Sequence, residues 1–214
     1  MYEFILSILL NDLKRLTVYR DQQKLQLWKE SSYRTINEVS IGILGLGVIG
    51  HMVAKKLSGL GFKTMGWSRS EKNITGVDCF SGPEALEVML SQTDYLINIL
   101  PLTNLTRGLI NRQFLSSLKK GAYIINVGRG PHVVDEDLIT SINHGHISGA
   151  ALDVFHREPL EKEHPFWDHP KVLLTPHIAS ITNIATARRQ IFDNIKLFQR
   201  KGEVNNEVFV DRQY

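Results

Sequence analysis

The stretch that most limits what this chain can become is Gly45-Leu46-Gly47-Val48-Ile49-Gly50, a G-x-G-x-x-G set between apolar runs. Residues 41–44 before it read as a buried strand. The residues after it place Met52, Val53, Leu57 and Leu60 on one helical face, and 62–67 read as a second strand. Strand, glycine turn, helix and strand within about thirty residues is the arrangement of a dinucleotide-binding βαβ unit. Gly45 permits the tight turn, Gly47 lets the backbone approach a pyrophosphate, and Gly50 lets the helix pack close to the strand. The helix start, near Val48 and Ile49, offers N–H groups and a partial positive charge to phosphates. A glycine-rich loop without function is the alternative, and the matching flanks on both sides speak against it.

The end of the second strand bears on which dinucleotide is held. NAD-binding units place an Asp or Glu there for the ribose 2′-hydroxyl. This chain has Ser68-Arg69-Ser70 instead. Arg69 brings a planar cation suited to a 2′-phosphate, and the serines can donate to it. The expected cofactor is therefore NADP(H), with NAD(H) less favoured; a solvated loop arginine is the competing reading.

Length and charge narrow the partners. The 214 residues suffice for one large domain or two small ones. A net charge of +3, with basic doublets scattered at Lys119-Lys120, Arg188-Arg189 and Arg200-Lys201, does not make a nucleic-acid stripe. Cys79 is alone, which fits a reducing compartment. The apolar run 4–10 follows Glu3 and precedes Asn11-Asp12-Leu13-Lys14-Arg15, the wrong flanks for a signal peptide. No run approaches the roughly 18 apolar residues of a membrane span. A cytoplasmic protein with no membrane partner is expected.

Along the chain, residues 2–30 read as one long helix, with Ile5, Ile8, Leu9, Leu13, Leu16, Tyr19, Leu27 and Trp28 at helical spacing. Its apolar face must dock on the main domain or on another chain. A linker at 31–37 follows. Further strands are expected at 77–80, 95–100, 122–127, 148–152 and 172–175. Further helices are expected from Gly82-Pro83 to about 91, at 111–118, at 136–143 capped by Asp135, and at 182–201. Continuously apolar strands alternating with helices predict an α/β fold, a doubly wound parallel sheet of Rossmann type. The expected organisation is a helical arm over 1–37, an NADP-binding domain over 38–182, and a closing helix and tail over 183–214.

In such sheets ligands bind beyond the carboxyl ends of the strands. Gly128-Arg129-Gly130 follows one strand, Asp153 to Pro159 another, and Pro176-His177-Ile178-Ala179 a third. Arg129, Glu158 and His177 thus project toward one edge. These types suffice for hydride transfer to a 2-keto acid. Arg129 clamps the carboxylate, His177 protonates the carbonyl oxygen, and Glu158 favours the imidazolium. Asp153 is placed to meet the nicotinamide. Spacing alone leaves open a structural His177, a surface turn at Glu158 and an Arg129–Glu136 pair. His144-Gly145-His146 has no third ligand nearby, so no metal site is read.

Several motifs together carry a resemblance: the 45–50 glycine turn, Leu100-Pro101-Leu102-Thr103, Asn126-Val127-Gly128-Arg129-Gly130, Gly149 to Phe155, Glu158-Pro159-Leu160 and Thr175-Pro176-His177-Ile178-Ala179. In this order they resemble the D-isomer-specific 2-hydroxyacid dehydrogenases, and Trp67-Ser68-Arg69-Ser70 resembles the glyoxylate/hydroxypyruvate reductase branch. The resemblance implies NADPH-dependent reduction of a small 2-keto acid by Arg129, Glu158 and His177. It implies Asp153 beside the nicotinamide and cofactor contacts at Leu100, Pro101, Val127 and Ala179. It also implies a homodimer through the helix matching 2–30, with Trp28 directed toward the partner. Ser180 stands where many relatives have Gly. The family's substrate lobe, which precedes that helix, has no counterpart here, so the chain is expected to bind NADPH yet to reduce glyoxylate poorly or not at all. A dimerising cofactor-binding domain without chemistry and a dinucleotide-sensing corepressor are the competing classes; the complete Arg, Glu and His set speaks against the latter.

Overall fold

A computed structural model describes residues 1–181, 184–205 and 207, and among these described residues seven strands form one sheet. They are β1 (Ser40–Leu44), β2 (Lys63–Trp67), β3 (Asp78–Phe80), β4 (Tyr95–Asn98), β5 (Ala122–Asn126), β6 (Ile147–Leu152) and β7 (Val172–Leu174). The order is β3-β2-β1-β4-β5-β6-β7, and every pairing is parallel. The helices of the same unit, Met1–Ala179, are α1 (Tyr2–Leu13), α2 (Leu16–Lys24), α3 (Val48–Gly59), α4 (Pro83–Gln92), α5 (Arg112–Ser117) and α6 (Asp135–Asn143).

Side chains alternate across each strand, so an apolar run needs cover on both faces. On one face Ile41, Ile43, Ile97 and Ile125 pack with Ile5 and Leu9 of α1 and Val53 and Leu57 of α3. On the other, Leu44, Leu96 and Ile124 pack with Met89 of α4, Phe114 of α5 and Leu138 of α6. Each fully buried Ile, Leu or Phe contributes about 1.5–3 kcal/mol against exposure.

The expected single helix over 2–30 is instead two short ones. The apolar stripe Ile5, Ile8, Leu9 and Leu13 is buried on the sheet, and the Tyr95 hydroxyl donates to Asp12 at 2.6 Å. Past Leu13 that stripe has nothing to cover. Arg15 turns the chain at φ 56, and α2 buries no residue. Gln26, at φ 54, ends the helical path, and Trp28 lies beyond it, 99% exposed. The tyrosine of α2, Tyr19, pins the returning chain by accepting from the Ser31 N–H at 3.0 Å.

Three smaller differences concern element faces and ends. The buried stripe of α3 is Gly50, Val53, Ala54 and Leu57, whereas Met52 and Leu60 flank it and are exposed. Asp135 is not a cap: it is the first residue of α6, behind Val134. β4 and β5 each stop at an asparagine, before the end expected from hydropathy.

The second unit, Ser180–Tyr214, contains α7 (Ile184–Lys201). Its expected start at 182–183 lies outside the described residues. No helix among the described residues is long and apolar enough to cross a membrane.

Candidate active site

The strand order reverses between β1 and β4, the point at which open α/β sheets leave a crevice. Gly45 closes β1 there at φ +100, a conformation that strains any other residue. A Cβ on it would stand 3.3 Å from the Ile99 carbonyl and the Leu100 side chain, and a Cβ on Gly50 would collide with the Gly45 carbonyl oxygen. Gly47 differs: no atom lies within 4 Å of where its Cβ would be. It precedes α3 without a side-chain cap, and the N–H groups of Val48, Ile49 and Gly50 have no acceptor one turn back. Val48 is 86% exposed. An uncapped helix start behind an open glycine fits a pyrophosphate.

At the end of β2, Ser68 is buried. Its N–H donates to the Phe80 carbonyl at 3.1 Å and its hydroxyl to the Ser70 carbonyl at 2.8 Å. The Ser68 hydroxyl is thus engaged within the turn, and Arg69 and Ser70 are the exposed members of the trio. Leu100 and Val127 are buried at the ends of β4 and β5, and Pro101 is half-buried.

The loops after β5, β6 and β7 meet. His177 Nδ1 stands 2.7 Å from Glu158 Oε2, while Glu158 Oε1 accepts the Phe155 N–H at 3.0 Å. Burial pushes the Glu158 carboxyl up. The His177 hydrogen bond, the Phe155 N–H and the His177 and Arg129 charges outweigh it and hold the carboxyl below its ordinary value. The loop of Arg129 abuts the Glu158 loop so closely that a Cβ on Gly130 would collide with the backbone of Phe155 and His156. Among the described residues no ion pair joins Arg129 to Glu136; the Arg129 Nη1 donates to the Gly128 carbonyl at 2.7 Å.

His177 sits at φ 56, where a bulky residue persists only if its surroundings impose it. Asp153 does so. Its carboxylate, 1% exposed, accepts the Thr175 hydroxyl at 2.6 Å and the Ile178 and Ala179 N–H groups at 2.8 Å each. The aspartate ending β6 therefore shapes the loop that follows β7.

Behind Arg129 lies a buried polar cluster. Asn98 and Asn126, register partners at the ends of β4 and β5, are joined by Asn98 Nδ2 donating to Asn126 Oδ1 at 2.9 Å. Asn98 Nδ2 also lies 3.0 Å from His132 Nδ1. The Arg129 N–H donates to that same Nδ1 at 3.1 Å, and Asn126 Nδ2 donates to the Arg129 carbonyl at 3.1 Å. A backbone N–H can only donate, so Nδ1 accepts and the proton sits on Nε2, 3.2 Å from the Pro101 carbonyl. Burial pushes the His132 imidazole below its ordinary pKa. Its hydrogen bonds to Pro101 and Arg129 oppose this, and the Arg129 and Arg107 charges add to it.

Comparison with known proteins gives the family. Residues 6–179 match the family model of the D-isomer specific 2-hydroxyacid dehydrogenase, NAD binding domain. The chain belongs to the D-isomer specific 2-hydroxyacid dehydrogenase family. Among the relatives of this dehydrogenase chain, glyoxylate/hydroxypyruvate reductase A of Yersinia enterocolitica is 41% identical over 214 residues, all of this chain and 68% of that protein. Glyoxylate/hydroxypyruvate reductase A of Serratia proteamaculans is 44% identical over 195 residues, 91% of this chain and 62% of that protein. The chain thus spans about two thirds of the length of these relatives. A crystal structure of a family member from Xanthobacter autotrophicus Py2, in complex with NADPH and MES, superposes with a TM-score of 0.96 at 41% identity, covering 100% of this chain and 88% of that one.

Within this dehydrogenase fold Glu158 and His177 are in direct contact, and Arg129 is near enough to bias Glu158. Ala179 is buried, with its N–H held by Asp153. His144 and His146, read from sequence as no metal pair, bond separate carbonyls, those of Thr140 and Leu115. Sequence reasoning missed Asn98, Asn126, His132 and Thr175. The first two had a signal: each is a polar residue closing an apolar run that the sheet buries.

Proposed function

We propose that this chain is the NADPH-binding, proton-transferring part of a reductase for a small 2-keto acid such as glyoxylate or hydroxypyruvate. The observation that carries this reading is the 2.7 Å contact between His177 Nδ1 and Glu158 Oε2, at the sheet edge that also bears the open glycine turn. Bound NADPH supplies the hydride. The N–H groups of Val48, Ile49 and Gly50 take its pyrophosphate, Arg69 and Ser70 its 2′-phosphate, and Leu100, Pro101, Val127 and Ala179 line the remainder. Arg129 pairs with the substrate carboxylate. His177, oriented through Nδ1 by Glu158, presents Nε2 to the substrate carbonyl oxygen and gives it a proton. Arg129, Glu158 and His177 are all exposed. Water at this edge screens each of these charges.

Titration with NADPH and NADH, followed by nucleotide fluorescence, tests the cofactor half. NADPH should bind more tightly, and Arg69→Asp should abolish the preference. Equal affinity for both nucleotides would count against it. Glyoxylate-dependent NADPH oxidation that His177→Ala leaves untouched would sink the chemical half.

A second copy of the chain is the macromolecular partner in this reading. Leu16, Leu25, Leu27 and Trp28 leave an apolar surface along α2 and the segment after it, with exposures of 54, 75, 50 and 99%. Sedimentation should give a dimer that Leu27→Glu with Trp28→Ala dissociates; an unchanged mass would refute this partner.

A further inference from the structure

We propose that His132 is a positioning residue whose Nε2–H tautomer locks the backbone of Arg129 to the carbonyl of Pro101, coupling the keto-acid clamp to the cofactor-side loop after β4. The role rests on the reductase reading, because it gives His132 a purpose through Arg129 and Pro101. The ring is fully buried and touches no surface, so it is neither an acid nor a ligand of anything outside the protein. A leucine would fill the space without the desolvation that a polar ring brings. The imidazole is matched at both nitrogens instead.

Nδ1 receives the Arg129 N–H at 3.1 Å and an Asn98 Nδ2 proton at 3.0 Å. Nε2 faces the Pro101 carbonyl at 3.2 Å. Asn126 holds the other side of the same peptide segment by donating to the Arg129 carbonyl. Arg129 is therefore fixed at both backbone groups while its guanidinium stays at the surface. Gly128 gives the cluster no slack: a Cβ there would lie 3.1 Å from Asn98 Nδ2 and 3.2 Å from His132 Cε1. Any rotation of the ring must displace Arg129 or Pro101.

Two variants separate the two halves of the link, because Asn Oδ1 mimics ring Nδ1 and Gln Nε2 mimics ring Nε2. His132→Asn should leave Arg129 amide hydrogen exchange within about threefold of wild type and weaken NADPH binding about tenfold, the scale of one lost neutral hydrogen bond. His132→Gln should do the reverse, speeding Arg129 exchange about tenfold and holding NADPH affinity within about threefold. Nitrogen-15 spectra of the wild-type ring should report a protonated Nε2 and a bare Nδ1. A protonated Nδ1, or two variants that shift both readouts alike as a pure packing defect would, overturns the proposal. Failure of the wild-type chain to bind NADPH would sink the reductase reading, while the ring spectrum and Arg129 exchange would still decide the link.

Discussion

The carboxylate of Asp153 holds the backbone on which His177 sits. Two consecutive N–H groups after His177, those of Ile178 and Ala179, end on it at 2.8 Å each, and the Thr175 hydroxyl on the near side joins them at 2.6 Å. Asp153→Asn places an amide N–H against one of these donors. It should destabilise the fold by about 2–3 kcal/mol, since hydrogen bonds to a buried charge are lost. Urea unfolding measures the loss, and faster amide exchange at Ile178 and Ala179 localises it.

Glu158→Gln tests the neighbouring contact. Glu158 has its carboxyl below the ordinary 4.5, so the Glu158–His177 pair is intact above that value and is lost as pH falls through the lowered one. The variant should reduce glyoxylate-dependent NADPH oxidation by about 10²-fold, the lower range for a general acid deprived of its orienting partner. The lowest-pH break of the wild-type rate profile should disappear with it, and NADPH affinity should hold.

Gly47 and Gly130 give opposite expectations for the same substitution. Gly47→Ala meets nothing within 4 Å and lies outside the left-handed region, so thermal stability should hold while NADPH binding weakens about tenfold or more. Gly130→Ala drives a Cβ into the backbone of Phe155 and His156, which no rotamer relieves. It should cost about 1–3 kcal/mol, read by calorimetry.

Asp94, at the opposite end of the sheet, contributes to the acid limb of stability. Burial pushes its carboxyl up, but Lys119, the Ser40 N–H, Arg34 and the Ser40 hydroxyl outweigh that and hold it below 3.8. The contribution is complete above that value and is lost as pH falls through the lowered one. Asp94→Asn should cost about 2 kcal/mol at neutral pH, with the gap to wild type closing on acidification below about pH 4. Urea midpoints at stepped pH check this.

The parts legible from sequence were those whose chemistry is local. Gly45 and Gly50 announce a turn because only glycine tolerates their φ or their neighbours, and the strands of the sheet are apolar runs because both faces are covered. The arm over 2–30 misled because periodicity does not report whether a partner surface continues. The stripe loses its sheet after Leu13, and Leu16 and Leu27 repeat the pattern with about half of each left exposed, 54% and 50%. His132 was illegible because its role depends on the register of β4 with β5, which brings Asn98 beside Asn126 across 28 positions of chain. Asp153 read as a nicotinamide contact because it ends a strand; that its oxygens bend back to Thr175, Ile178 and Ala179 requires three dimensions.

The three donors on Asp153 also shorten the proton inventory at this edge. With three donors on one buried carboxylate, that aspartate is poorly suited to relay a proton. Among the described residues of this edge, the exposed pair His177 and Glu158 is the one that water reaches. Solvent deuterium should therefore slow turnover through His177, and His177→Ala should remove that isotope effect.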